Sequence, residues 1–115
     1  MTFSNTSYGD FQRFEDSDYA YKEKFLRVNV DSHVMIADYF IKMFLKRKDK
    51  SGLVFTASAA SYLPMAYLDM YHSAKTMLSA LSCSLYAEYR NQNIDIAVVH
   101  PTAVSETKFY SHEGI

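Results

Sequence analysis

Leu53-Val54-Phe55-Thr56-Ala57, opened by Gly52 and closed by Ser58-Ala59-Ala60-Ser61, is the run on which the fold turns. A short apolar stretch between a glycine turn and a Ser/Ala-rich loop reads as a strand buried on both faces. Upstream of it a helical pattern runs from about Asp18 to Lys48, with Phe25, Val28, Val30, Val34, Ile36, Ala37, Phe40, Ile41, Phe44 and Leu45 recurring at three and four residues. Its second half, Val34 to Leu45, is apolar on most sides, which predicts a helix largely buried or paired with a partner. Asp49-Lys50-Ser51-Gly52 stops it.

Downstream, residues 58–68 read as a loop containing Pro64, and helical period resumes from Asp69 to about Arg90. Met77, Leu78, Leu81, Leu85 and Tyr89 fall on one side of that helix. Asn91-Gln92-Asn93 breaks it, Ile94 to Val99 is a second apolar strand, and His100-Pro101 ends that strand. Residues 1–17 mix small polar residues with Tyr8, Phe11 and Phe14 and are expected to form a loop that packs down. The tail to Ile115 is polar and irregular. Helix, strand, helix, strand, with crossover-length helices, predicts an α/β domain with a parallel sheet. Residues 1–115 are expected to form a single partial domain.

Composition narrows the function classes. Hydrophobic residues make up 49% of the chain, enough to bury a core, so disorder is not expected. The net charge of −1 is spread without clustering, which leaves no nucleic-acid surface and no polybasic membrane patch. The basic run Lys46-Arg47-Lys48 suits a helix C-terminus. The lone Cys83 permits no disulfide within one chain and is expected to be a buried, inert thiol in a reducing compartment. The N-terminus lacks a charged-then-apolar signal, and Val34–Leu45 is too short, with Asp38 and Lys42 inside it, to span a membrane. A cytoplasmic protein is expected, or an ER-associated one if a preceding segment carries an anchor. His33, His72, His100 and His112 are scattered, so no metal site is predicted.

Tyr71 and Lys75 open the second helix four residues apart, on one face. A tyrosine hydroxyl titrates near ~10, so it is a poor proton carrier at neutral pH. An ammonium held nearby favours the phenolate and lowers that value. In parallel sheets ligands gather at the carboxyl ends of the strands. Ser58 and Ser61 follow the first strand and Pro101-Thr102 the second, so the polar candidates converge on one edge of the sheet.

Together these residues resemble the C-terminal catalytic half of a short-chain dehydrogenase/reductase. Tyr71-x-x-x-Lys75 matches the family's active-site motif; Ser58, thirteen residues before the tyrosine, matches its serine. Asn29, in Arg27-Val28-Asn29-Val30, matches the asparagine of the preceding helix, and Gly52 and Pro101 match in place. Ser4-Asn5-Thr6-Ser7 resembles the family's Asn-Asn-Ala-Gly segment, running into a Tyr-Gly-Asp-Phe-like loop; only Asn5 survives of those four, and Ser7 stands at the glycine. Pro101-Thr102-Ala103-Val104 stands where the family has Pro-Gly and then a threonine, and Thr107 arrives one residue late. The resemblance covers roughly residues 4–110.

The resemblance implies a partial Rossmann-like, doubly wound parallel sheet with long helices, lacking the N-terminal glycine-rich dinucleotide-binding half. With three glycines, Gly9, Gly52 and Gly114, no glycine-rich turn can be built for a pyrophosphate. A sheet cut in this way would leave an apolar edge with unpaired backbone groups.

By the same resemblance Tyr71 is the general acid or base for a carbonyl or secondary alcohol, and Lys75 lowers its pKa and holds the nicotinamide ribose. Ser58 hydrogen-bonds the substrate oxygen, and Asn29 binds a water that links Lys75 to a proton relay. Asn5, Tyr71, Lys75, Pro101, Thr102 and Val104 are the implied cofactor contacts. The cofactor is NAD or NADP, with NADP the first choice. Leu63-Pro64-Met65 and Leu85–Arg90 look somewhat like long-chain 3-ketoacyl and steroid reductases, implying a lipid or steroid-like substrate. Such enzymes pair their two long helices in homodimers. The alternative is a non-catalytic remnant that binds a protein partner through its exposed helices and sheet edge.

Overall fold

The computed structural model describes residues 1–5, 9, 11–47, 49–62 and 66–101. Three strands, β1 (Thr2–Ser4), β2 (Ser51–Thr56) and β3 (Ile94–Val99), form one sheet in that order. Both pairings are parallel. Ser4 stands opposite Phe55, and Phe55 opposite Val98. A crossover runs from β1 through α1 (Tyr19–Leu26), a π-helical turn (Arg27–Asp31) and α2 (Ser32–Arg47) to β2; a second runs through α3 (Asp69–Tyr89) to β3.

The helices lie on one face of the sheet. Leu53, Phe55, Ile94 and Ile96 point into a core completed by Ala37, Ile41 and Phe44 of α2 and Leu78 of α3. Each fully buried Leu, Ile or Phe side chain there stabilises the fold by ~1.5–3 kcal/mol. Period two sends the alternate residues the other way. On that opposite face Phe3 is 65% and Val99 47% exposed, so the described residues cover the sheet on one side. Parallel sheets otherwise bury both faces.

Element starts and stops follow local chemistry. Asp18 caps α1 by accepting the Tyr21 amide at 2.8 Å. Lys46 and Arg47 occupy the last turn of α2, where cations complement the dipole. Asn93, with φ 61°, turns the chain into β3 in a left-handed conformation that asparagine tolerates.

Three expectations need correction. The first seventeen residues are not all loop: Thr2–Ser4 is a strand and Phe14–Asp16 a 3-10 turn. A strand of three residues carries too little alternation to be read, and it forms because the edge of β2 offers unpaired amides and carbonyls. It pairs with β2 along Leu53–Phe55 and becomes an outer strand of the sheet. The long helix is interrupted at Arg27–Asp31, where the chain widens into a π turn. Cys83 is exposed rather than buried, because the core-facing side of α3 runs through Ala74, Lys75, Leu78 and Ser82. The outer boundaries shift slightly: β2 starts at Ser51, α3 ends at Tyr89, and Ala59–Ser61 forms a 3-10 turn inside the predicted loop.

Candidate active site

The carboxyl ends of β1 and β2, the start of α3 and the π turn meet in one region, and it is built from the inside out. Lys75 is 1% exposed, and its Nζ donates to the Thr56 main-chain oxygen at 3.0 Å. Burial lowers its pKa from 10.5 to about 8, because the charged form has lost water. The group still carries its proton at neutral pH. One turn earlier, the half-buried Tyr71 places its ring centroid 5.6 Å from that ammonium. The spacing predicted from sequence is realised as a cation beside a phenol.

The start of α3 is held from outside the helix. Leu68 offers no side-chain cap. Tyr67 before it has φ 69°, a left-handed conformation that a bulky residue seldom adopts. Its carbonyl accepts the Gln12 amide at 3.0 Å, so the segment after β1 fastens the chain where α3 begins.

Ser58 is half-buried, two residues beyond β2. The Ala57 amide donates to the Val99 oxygen at 2.8 Å and the Ala59 amide to the Pro101 oxygen at 3.1 Å, so the ladder continues past both strands and brackets Ser58. Thr76 Oγ1 donates to the Ser61 oxygen at 3.1 Å, tying the same turn to α3. Tyr62 Oη lies 3.3 Å and Ser79 Oγ 3.1 Å from His100 Nε2, which completes the brace. His100, read from sequence as a mere strand-end residue, holds this loop.

Asn29 sits in the middle of the π turn with no solvent exposure. Its Nδ2 donates to the Phe25 oxygen at 3.1 Å, and Ser32 Oγ donates to the Val28 oxygen at 2.5 Å. A π turn breaks the regular i to i−4 ladder and exposes carbonyls that need other donors. These two side chains donate to carbonyls one turn back. The turn packs against α3, which brings Asn29 to the helix that carries Tyr71 and Lys75. Asn5 is exposed directly after β1, and Pro101 is exposed after β3. Thr102 and Val104 lie outside the described residues.

Two partners have no clear sequence signal. Ser4 Oγ and His33 Nδ1, both fully buried, are hydrogen-bonded between β1 and α2. Lys22 Nζ donates to the Phe14 oxygen at 2.7 Å and the Ser17 oxygen at 2.6 Å, and stands 4.4 Å over the Phe14 ring. Both contacts depend on where the chain returns in space. Sequence spacing does not report that.

The sequence profile described as short chain dehydrogenase matches residues 2–113. The chain belongs to the short-chain dehydrogenase family. Among solved structures it is similar to a protein from Novosphingobium aromaticivorans described as a short-chain dehydrogenase, with 27% identity and a TM-score of 0.84 over 90% of this chain and 40% of that one. It is also similar to a protein from Beutenbergia cavernae described as an NAD(P)-dependent gluconate 5-dehydrogenase with bound NADP, at 18% identity and a TM-score of 0.87, covering 96% and 43%. A third is a short-chain dehydrogenase/reductase from Burkholderia phymatum in complex with NAD, at 23% identity and a TM-score of 0.84, covering 89% and 37%. The chain thus spans less than half the length of each of these proteins. No curated protein sequence matches it.

The partial Rossmann-like fold implied by sequence is the observed one, and it belongs to an oxidoreductase family whose structural neighbours carry nicotinamide cofactors. Lys75, on α3, has an ammonium with further protons to donate beyond the Thr56 oxygen at the end of β2. The pyrophosphate end finds no match in the described part of this chain, since Gly9 is filled against Tyr71 and Gly52 lies within β2. No helix among the described residues is long and apolar enough to cross a membrane.

Proposed function

We propose that this chain carries the proton-transfer half of an NAD(P)-dependent oxidoreductase acting on a carbonyl or secondary alcohol. The observation that carries this reading is the Tyr71–Lys75 pair, with the ammonium 5.6 Å from the ring centroid and anchored to the end of β2. The nicotinamide supplies the hydride. Tyr71 gives its phenolic proton to the carbonyl oxygen during reduction and takes it back during oxidation. Lys75, cationic at neutral pH, stabilises the phenolate left behind and donates to the nicotinamide ribose. Ser58 hydrogen-bonds the substrate oxygen as charge develops there. Asn29 holds the water of the proton relay to Lys75, while Asn5, Pro101, Thr102 and Val104 contribute cofactor contacts.

The substrate is a small carbonyl or alcohol compound, with a lipid or steroid-like skeleton the first class to assay, and NADP is the cofactor tested first. The test is nicotinamide oxidation by a polypeptide that joins residues 1–115 to a glycine-rich cofactor-binding half. Tyr71→Phe abolishes turnover there and leaves nicotinamide affinity nearly unchanged; retained turnover refutes the assigned role. Residues 1–115 alone bind NADPH or NADH weakly or not at all by calorimetry, and micromolar affinity would overturn that expectation.

Pairing of the long helices in a homodimer accompanies this reading. Val34, Ala37, Ile41 and Leu45 of α2 and Leu81 and Leu85 of α3 line an apolar groove of about 250 Å³, and Met35 and Tyr39 are exposed beside it. Sedimentation equilibrium checks it: Val34→Glu should hold the chain monomeric, and a monomeric parent chain ends the proposal.

A further inference from the structure

Tyr71 has a second neighbour that no motif describes. A β-carbon placed on Gly9 would lie 2.7 Å from Tyr71 Cδ2, 3.2 Å from Cγ and 3.4 Å from Cε2. Carbon atoms in van der Waals contact stand ~3.5–4.0 Å apart, so one whole edge of the ring rests against the Gly9 backbone. What the structure shows at Gly9 is a lack of space for a side chain. Gly9 is buried, and three residues on the Gln12 amide holds the Tyr67 carbonyl just before α3. The segment after β1 therefore touches the start of α3 twice, once at the backbone and once at the tyrosine ring.

We propose that Gly9 is a positioning residue for Tyr71: its missing side chain lets the ring lie where the phenol and the Lys75 ammonium share one site. The contact is a steric fact of the structure, and its catalytic meaning rests on the acid/base role proposed above for Tyr71. Any side chain at position 9 must displace the ring near its root. Cδ2 and Cγ sit close to the main chain, where the tyrosine has least freedom to yield. A displacement of the ring carries the hydroxyl with it.

Two measurements on residues 1–115 read the contact without any turnover. Gly9→Ala should lower the thermal midpoint in the parent chain, and the same change should have little effect in Tyr71→Ala, where the ring that it strikes is gone. With ¹³Cζ-labelled tyrosine, the Tyr71 resonance is assigned by its loss in Tyr71→Phe. Gly9→Ala should shift that resonance and leave those of tyrosines remote from position 9 in place. If Gly9→Ala does not fold but Gly9→Ala/Tyr71→Ala does, the steric assignment is supported. Equal losses in both backgrounds, an unmoved Tyr71 resonance, or failure of both variants to fold would overturn it. In the joined, catalytically complete polypeptide Gly9→Ala should reduce kcat by roughly 10- to 100-fold with nicotinamide affinity retained. Unchanged kcat beside an inactive Tyr71→Phe sinks the positioning role alone; an active Tyr71→Phe sinks the acid/base role and leaves the contact to the melts and spectra.

Discussion

The Lys75 ammonium and the Thr56 carbonyl, 3.0 Å apart, join the second helical turn of α3 to the last residue of β2. The bond fixes the cation at the carboxyl end of the sheet and takes it almost wholly out of water. Desolvation is only partly offset by one neutral carbonyl, which is why the pKa falls from 10.5 to about 8.

That shift predicts a pH dependence of stability. Below pH 8 the folded and unfolded chains both hold the proton, and the burial penalty opposes folding in full. Between about 8 and 10.5 the unfolded chain binds a proton that the folded chain has released, so stability from this group rises with pH. One such group contributes a slope of at most ~1.4 kcal/mol per pH unit. Urea denaturation of the parent chain and Lys75→Met across pH 7.5–9.5 checks it. The difference between the two should shift in favour of the parent as pH rises, and parallel profiles would contradict the burial argument.

Asn29 Nδ2 donates to the Phe25 oxygen inside the protein. Asn29→Ala removes that bond and should cost about 0.5–1.5 kcal/mol, the net worth of one hydrogen bond. Asn29→Asp, nearly isosteric, should cost more, since it sets an acceptor against an acceptor and a carboxylate where nothing is exposed. Chemical denaturation of the three chains orders them; an Asp variant as stable as the parent would mean that Nδ2 does not carry the interaction.

The Ser4–His33 hydrogen bond pins β1 to α2 inside the protein. Ser4→Ala and His33→Ala should each destabilise by ~1–3 kcal/mol, and the double variant should cost clearly less than their sum. Additive losses would show that the two side chains act separately.

Cys83 faces solvent on α3. A thiol reagent should titrate it in the folded chain without denaturant, and Cys83→Ser should change stability by no more than ~0.5 kcal/mol. Protection until unfolding would restore the buried reading drawn from its apolar neighbours.

The sequence by itself determined the α/β order, the parallel sheet and the face shared by Tyr71 and Lys75. Each of these follows from a local period: continuous apolar runs for β2 and β3, three-and-four spacing for the helices, and one helical turn between tyrosine and lysine. The family motif added Ser58 and Asn29 on elements that the structure packs against α3. The tertiary structure decided what no period encodes. Thr2–Ser4 is a strand because β2 lies beside it, and Asn29 turns inward to donate to the Phe25 carbonyl. Cys83 lies outside because α3 turns another stripe inward. The Tyr71–Lys75 centre itself is closed by groups far off in the chain: Thr56, whose carbonyl accepts a hydrogen bond from the ammonium, and Gly9, which leaves room for the ring. Glycine reads in sequence as a turn; only the packed molecule shows that this one is a space.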